Sequence, residues 1–577
     1  MVFYPPKWAG QLPPIPDTLP ICDFILDERY GRAPIASSPA PFICNVTGKS
    51  YPPTEVTKRI DAIARALSHK LDWEPNTGAA EEKVLGIFSV NTINTLPLSW
   101  AVHRLSGIVS PANASFSAGE LAYQLSDSKA TALFTCSSLL DTALQAADKV
   151  GIARQRVFLL ETPDDPTPLP ETASQFQTLE QLITTGRNLP ALPALNWQPG
   201  QGRRQPAYLC YSSGTSGVPK GVLITHYSTI ANILQFKQYD EASGARTPHQ
   251  PAITSCILPM SHAYGLNYIC QYATYRGDST VVFTGFQLES LLHAIQQYRI
   301  TDLYLVPPIA IRIVKNRELC QKYDLTSLRG CITGAAPLGE EVEAAMRDQF
   351  PGVWIGQGYG LTEATTIVSL APTRDQITGS VGCAMPNSKW KLLSPSGTEI
   401  TTYDTPGELL VSGPQITNGY LNNPSATAES FHPDGWYHTG DVGVIRQSPS
   451  GNEHLFIIDR IKELIKVKGL QVAPAELEAH LLALEGVVDC AVIPVGHGEK
   501  GEVPKAFVVR DGDGDAGDEV MRETIVKHVR DGKARHKWLV GGVEFVEVIP
   551  KSPSGKILRR VLREGERRKL RERGAKI

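Results

Sequence analysis

Tyr211-Ser-Ser-Gly-Thr-Ser-Gly-Val-Pro-Lys-Gly-Val222 gathers glycines and small hydroxyl residues around a single lysine, the composition of a phosphate-binding loop. Gly214 and Gly217 let backbone N–H groups turn inward with no side chain in the way, and Ser212, Ser213, Thr215 and Ser216 add hydroxyl donors. Lys220 adds one positive charge. Residues 207–211 form a short apolar run of strand type, and residues 226–236 place Ile230, Ile233 and Leu234 at helical spacing. The predicted order is strand, polar loop, helix. The loop is not a Walker sequence, because Gly221 follows the lysine where a magnesium-holding Ser or Thr would stand. Nor is it a hydrolase elbow, since Gly214-Thr-Ser-Gly217 is one residue short of Gly-x-Ser-x-Gly. Composition alone leaves an exposed linker equally open.

The chain around this loop has 577 residues, more than one ordinary domain, so two or more are predicted. A hydrophobic content of 42% with 20% charged residues describes a globular chain, and a net charge of -3 gives no bias toward nucleic acid or a membrane surface. Ten cysteines without a Cys-x-x-Cys pair read as core thiols, not as a zinc ribbon or a disulfide framework. No apolar run reaches the length of a signal peptide or a membrane span.

Helical and strand periods alternate along the chain. Residues 53–71 put Val56, Ile60, Ile63, Ala64 and Leu67 on one helix face, and residues 83–89, 105–112 and 130–135 read as buried strands, the pattern of an α/β fold. The proline-rich stretch 162–206 reads as a surface excursion with one short amphipathic piece at 179–183. Residues 301–306 and 328–332 are further strands, the second entering Thr333-Gly-Ala-Ala-Pro-Leu-Gly339, whose small side chains allow a flat ring to approach the backbone. Gly356-Gln-Gly-Tyr-Gly-Leu-Thr-Glu-Ala364 is not a dinucleotide fingerprint. Asp511-Gly-Asp-Gly-Asp515 fails as a calcium loop because Ala516 stands at its sixth position, and His432 and His438 have no further ligands at zinc spacing.

Four segments occurring in order resemble the adenylate-forming superfamily, and among its members most resemble coumarate:CoA ligases and related acyl-CoA ligases. They are Ser212-Ser-Gly-Thr-Ser-Gly-Val-Pro-Lys-Gly221, the Gly356 to Ala364 segment, Ile457-Ile-Asp-Arg-Ile-Lys-Glu-Leu-Ile-Lys-Val-Lys-Gly469, and Ile549-Pro-Lys-Ser-Pro-Ser-Gly-Lys-Ile-Leu-Arg559. The resemblance implies a large N-terminal domain, residues 1–459, made of two parallel-sheet α/β subdomains and a β-rich subdomain. A small mobile α+β domain, residues 460–577, would follow a hinge at 460–462.

It also implies roles residue by residue. Ser212 to Gly217 and Lys220 meet the phosphates of ATP. Gly334, Ala335, Ala336, Gln357, Gly358 and Tyr359 border adenine, Thr362 meets the α-phosphate, and Glu363 binds Mg2+. Asp441 and Arg460 meet the ribose, with Lys462 at the hinge. Lys556 is the catalytic lysine of adenylation, and Lys466 and Gln471 face the site in the thioester-forming orientation, where Lys468 and Gly469 meet CoA. Ala263, Tyr264, Gly334, Gly358, Leu361 and Ile367 line the acid pocket. His262, an imidazole of a type that ordinarily titrates near neutrality, orients the carboxylate or stands near the thiol.

The implied reaction is an acid:CoA ligation through an acyl-adenylate, with ATP, CoA and Mg2+. At 365–367 the chain has Thr-Thr-Ile where coumarate ligases have Gly-Pro-Val, so the acid is an aromatic, coumarate-like one or a medium-chain aliphatic one. The alternatives are an adenylating enzyme that delivers its acyl group to a carrier protein and a non-catalytic nucleotide sensor. The last residues, Ala575-Lys576-Ile577, resemble a variant of the Ser-Lys-Leu peroxisomal address, which an import receptor would read. Nucleic acid and membrane partners are not expected.

Overall fold

Three sheets and the helices between them build the large part of this computed structural model, which describes residues 1–577 apart from 166–169, 213–217, 245–250, 468–469, 498–500, 512–517, 553–554 and 573–577. The first sheet runs Val157–Leu159, Ala132–Thr135, Val84–Phe88, Ile108–Ala112, Pro206–Ser212 and Lys220–Thr225, parallel until the last strand turns back antiparallel. Ala132–Thr135, Val84–Phe88 and Ile108–Ala112 are buried at every position, as strands covered on both faces must be.

The second sheet has eight strands, and Trp354–Gly360, Gly330–Thr333, Asp302–Leu305, Ile253–Cys256, Ser279–Val282 and Phe42–Cys44 are parallel neighbours in it. The third is a five-stranded antiparallel sheet of Val2–Phe3, Lys389–Leu393, Gly407–Ser412, Tyr437–Gln447 and Glu453–Arg460. Beyond it a hairpin, Ile465–Val467 with Leu470–Val472, leads into a three-stranded sheet flanked by Pro474–Leu482, Asp518–Gly532 and Arg559–Glu572. The expected α/β architecture, two parallel-sheet units with a β-rich one and a small α+β domain, is the one present.

Two local expectations are corrected. The phosphate loop does not run straight into a helix. Its far stem is the strand Lys220–Thr225, which pairs Gly221 with Tyr211 and Lys220 with Ser212, and the helix His226–Ser243 begins only after it. The period-two alternation of that strand is masked by burial of Gly221, Val222, Ile224 and Thr225 on both faces.

The proline-rich stretch is not merely a surface excursion. Its helix Leu179–Arg187 buries Leu182, Ile183 and Gly186 against Pro53–Leu71, so closely that a Cβ on Gly186 would lie 1.8 Å from Ala62 O. The C-terminal helix Arg559–Glu572 is tied to the three-stranded sheet and its flanking helix. Leu562 packs with Ile549, Ala491, Ile493 and Phe507, and Arg559 and Arg563 pair with Glu478 and Glu463. All ten cysteines are buried and unpaired. No helix among the described residues is long and apolar enough to cross a membrane.

Candidate active site

The stems of the phosphate loop are anchored before the loop begins. Tyr211 Oη donates to Asp127 Oδ2 at 2.7 Å, and Tyr123 Oη donates to the Pro219 carbonyl at 3.0 Å, tying both ends to the helix Ala118–Asp127. Ser212 Oγ donates to Glu363 Oε1 at 3.2 Å, and Lys220 Nζ lies 4.9 Å from the centre of the Tyr420 ring. Ser213, Gly214, Thr215, Ser216 and Gly217 lie outside the described residues, as do Lys468, Gly469, most of the 511–515 stretch and the terminal Ala575-Lys576-Ile577.

Glu363 is carried by a short 3-10 turn, Thr362–Ala364, at the end of the strand Trp354–Gly360. The chain then reverses at Thr365, whose φ of 63° and ψ of -50°, with Thr366 N donating to Ala364 O at 2.6 Å, make a tight γ-turn. A β-branched residue in that region is unfavourable, and neighbours hold it there. Thr365 Oγ1 donates to Gln415 O at 2.8 Å, and Asn267 Nδ2 donates to Thr365 O at 2.9 Å. Two residues on, the buried side chain of Asn232 both donates to Ile367 O and accepts from Ile367 N, each at 3.3 Å, which pins Ile367.

Ile367 is one wall of an apolar recess. A Cβ on Gly358 would lie 3.1 Å from Ile367 Cδ1, and one on Gly334 would lie 3.3 Å from Tyr264 Cε1 and 3.4 Å from Gly358 O. Tyr264 is held by donation of its hydroxyl to Ile332 O at 3.2 Å and backed by Tyr268 and Tyr304. Ala263, buried beside it, accepts from Thr366 Oγ1 through its carbonyl at 3.1 Å. Leu361 is set apart from these, packing with Tyr359 into the core under the antiparallel sheet.

The turn 334–338 places Ala335 at φ 70°, exposed, with Ala336 half-buried next to it in the chain. Gln357 is buried and its side chain is engaged within the protein. Its Oε1 accepts from Leu338 N at 3.0 Å and its Nε2 donates to Glu343 Oε2 at 3.0 Å, so it shapes this turn. Tyr359 Oη donates to Asp441 Oδ2 at 2.6 Å, and Arg460, the cross-strand partner of Asp441, stands 3.4 Å from Oδ1. Burial, and then the Asp441 charge, push the Tyr359 phenol well up, so it stays a donor.

Lys556 arrives from the far end of the chain. Gly555, at φ 80°, lets its loop settle on the end of the second sheet, where a Cβ would be 3.1 Å from Val306 Cγ2. Desolvation and then Arg460 push the Lys556 ammonium down to about 7, against the pull of Asp441, Glu363 and Glu463. The same lysine, after burial itself, lowers His262 to about 4, so His262 is a neutral imidazole and does not titrate near neutrality as its residue type suggests. His262 Nδ1 accepts from Tyr264 N at 3.3 Å. Lys466 and Gln471 pair across the hairpin with exposed side chains, and Lys462 is exposed before it. Lys556 is therefore the late lysine brought into the cleft. Tyr420 and Glu463, which the sequence reading passed over, complete the site. The signal for Tyr420 was present in Asn418-Gly-Tyr-Leu-Asn422, a Gly-Tyr pair between loops.

Among the described residues no cluster of three or more His, Cys, Asp or Glu side chains converges on a metal position. Among the described residues Glu363 is a carboxylate oriented by two hydroxyls, Ser212 Oγ and Tyr420 Oη. That donor set fits magnesium, which keeps waters and takes its remaining oxygens from substrate phosphates.

The AMP-binding enzyme family matches residues 40–421, and the AMP-binding enzyme C-terminal domain matches residues 476–556. The chain belongs to the AMP-binding enzyme family. Acyl-CoA ligase easD of Emericella nidulans is 36% identical to this AMP-binding enzyme over 98% of the chain and 100% of the relative. Acyl-CoA ligase AKT1 of Alternaria alternata is 40% identical over 98% of the chain and 97% of its own length. The solved anthranilate CoA ligase AuaEII, in complex with anthranoyl-AMP, shares the fold with a TM-score of 0.80 at 21% identity, covering 96% of this chain and 98% of that one. A benzoate CoA ligase from Burkholderia xenovorans LB400 does so with a TM-score of 0.76 at 21% identity, covering 94% and 100%. This AMP-binding enzyme is an adenylate-forming acid ligase of the AMP-forming acid–thiol class, for which ATP and CoA are the implied substrates.

Proposed function

We propose that the enzyme joins an aromatic or medium-chain aliphatic carboxylic acid to CoA in two half-reactions at this cleft. The supporting observation is the convergence of Lys556 with Glu363, Asp441 and His262, residues up to about three hundred positions apart in the chain. In the first half the carboxylate attacks the α-phosphorus of ATP, forming a mixed anhydride and expelling pyrophosphate. In the second the CoA thiol adds to the acyl carbon, the C–O bond to AMP breaks, and the thiol proton is released.

Two anions must approach each other in the first step, so the Lys556 and Lys220 ammonium groups oppose that repulsion in a site shielded from water. Glu363 would hold magnesium, which when bound neutralises phosphate charge. Asp441, oriented by Tyr359, accepts from the ribose hydroxyls, and neutral His262 offers a hydrogen bond to the carboxylate. The Tyr264, Gly334, Gly358 and Ile367 recess takes the acid's apolar body. Thr362 meets the α-phosphate and Ala335 and Ala336 border adenine. We place the domain boundary at 460, where Glu453–Arg460 ends the third sheet, with the hinge at 460–462. Lys466 and Gln471 would serve the second half after rotation about it.

The test is incubation with ATP, magnesium and a panel of acids, with and without CoA, following AMP and thioester by mass spectrometry. Thioester from aromatic or medium-chain acids is expected. An acyl-adenylate that never yields thioester would mean a different acceptor.

A further inference from the structure

Backbone hydrogen bonds lay residues 418–421 along the outer edge of the strand Lys220–Thr225. Leu223 N donates to Gly419 O at 3.0 Å, Leu421 N donates to Gly221 O at 2.7 Å, and Val222 and Tyr420 form an antiparallel bridge. This places Tyr420 beside the phosphate loop. Tyr420 is 8% exposed, its backbone N donates to Thr427 Oγ1 at 3.0 Å, and its ring meets Phe431 edge-on. Two contacts then point into the cleft. Its hydroxyl donates to Glu363 Oε1 at 2.9 Å, and its ring carries Lys220 Nζ at 4.9 Å.

An ammonium and a carboxylate in one cleft tend to pair and quench each other. Among the described residues no ion pair joins Lys220 to Glu363. Tyr420 stands between them, meeting the anion with its O–H and the cation with its π face. We propose that Tyr420 is a positioning residue that holds Glu363 and Lys220 apart and separately aimed, Glu363 toward the nucleotide's divalent cation and Lys220 toward its phosphates. This rests on the roles given above to those two residues.

The test uses the full-length chain with Tyr420→Phe and Tyr420→Leu, alone and combined with Glu363→Gln and Lys220→Ala. Mn2+ affinity of the enzyme–ATP complex is read by electron paramagnetic resonance, and metal-free ATP affinity by calorimetry in EDTA. Tyr420→Phe removes one charge-assisted hydrogen bond and keeps the ring, so Mn2+ affinity should fall about tenfold with metal-free ATP affinity unchanged. Tyr420→Leu should weaken both. On Glu363→Gln, Tyr420→Phe should add nothing further to the metal effect. On Lys220→Ala, Tyr420→Leu should add nothing to the metal-free effect.

Wild-type Mn2+ affinity in folded Tyr420→Phe, or full additivity in either cycle, overturns the proposal. If Glu363→Gln alone leaves Mn2+ affinity unchanged, the fault lies in the role given to Glu363. Should Tyr420→Leu fail to fold, Tyr420→Phe, which keeps the ring volume, decides alone.

Discussion

The phenol of Tyr359 donates to Asp441 Oδ2 at 2.6 Å, joining the strand Trp354–Gly360 to the strand Tyr437–Gln447 of the antiparallel sheet. Removing that hydroxyl frees the carboxylate to rotate while leaving the ring in place. Tyr359→Phe is expected to raise the ATP KM about tenfold, the size of one hydrogen bond to a charged group, with the acid KM unchanged. ATP–pyrophosphate exchange measures both. A shift confined to the acid KM would remove Asp441 from the nucleotide.

Among the described residues Lys556 is coupled electrostatically to both Glu363 and His262. Lys556→Ala should slow adenylation by about two to three orders of magnitude, the scale of losing a preorganised charge at a transition state. Thioester formation from a supplied acyl-adenylate should be spared. Equal loss in both halves would contradict the role given to it.

The depressed Lys556 pKa of about 7 sets a direction for pH dependence. The group is protonated below that value and neutral above it, and adenylation needs the charged form. The kcat/KM for exchange, which reports the free enzyme, should hold on the acid side and fall as pH rises through about 7. Lys556→Arg keeps its charge and should flatten the profile. His262, near 4, stays neutral throughout and adds no inflection. ATP binding at pH 8 should take up a proton in the wild type and none in Lys556→Ala. A wild-type profile flat between about pH 6 and 9 would sink this reading.

Asn232 lies behind the apolar recess and holds the backbone N–H and C=O of Ile367. Asn232→Leu leaves that N–H and C=O unpaired in the core, at a cost of about 1–3 kcal/mol. The wall it holds should loosen, raising the acid KM and narrowing discrimination between short and long acids, with the ATP KM steady. Competition assays with paired acids read the discrimination directly.

Gly186 touches the backbone of the helix Pro53–Leu71. Gly186→Ala forces the two helices apart at Ala62 O. A loss at or above the top of the about 1–3 kcal/mol range for overpacking is expected in denaturant unfolding. An unchanged midpoint would mean the helices part without loss of packing.

Much of the fold could be read locally. The helix Pro53–Leu71 follows from its apolar spacing, Pro53 at its start and Asp72 at φ 56° as its cap. Val84–Phe88 and Ile108–Ala112 follow from apolar runs near strand length. The strand Lys220–Thr225 escaped because it opens with the loop's own lysine and glycine, and its pairing to Pro206–Ser212 is a contact across the loop. Of the helix Leu179–Arg187 only the amphipathic piece at 179–183 was legible, and its packing against Pro53–Leu71 was not, because prolines on both sides dominate the local signal.

Within the site the same division holds. Residue type and spacing alone marked a hydroxyl-rich, glycine-rich loop around Lys220, whereas Glu363 and the late lysine Lys556 were singled out only by the resemblance to the adenylate-forming superfamily. Tertiary structure decided which of them meet. It put Tyr420 between Lys220 and Glu363, joined Tyr359 to Asp441, committed Gln357 to a turn, and moved the proton affinities of Lys556 and His262. Those properties depend on desolvation and on charges contributed by distant strands. Local sequence carries the chemical groups, and only the folded chain sets the distances and dielectric through which they act.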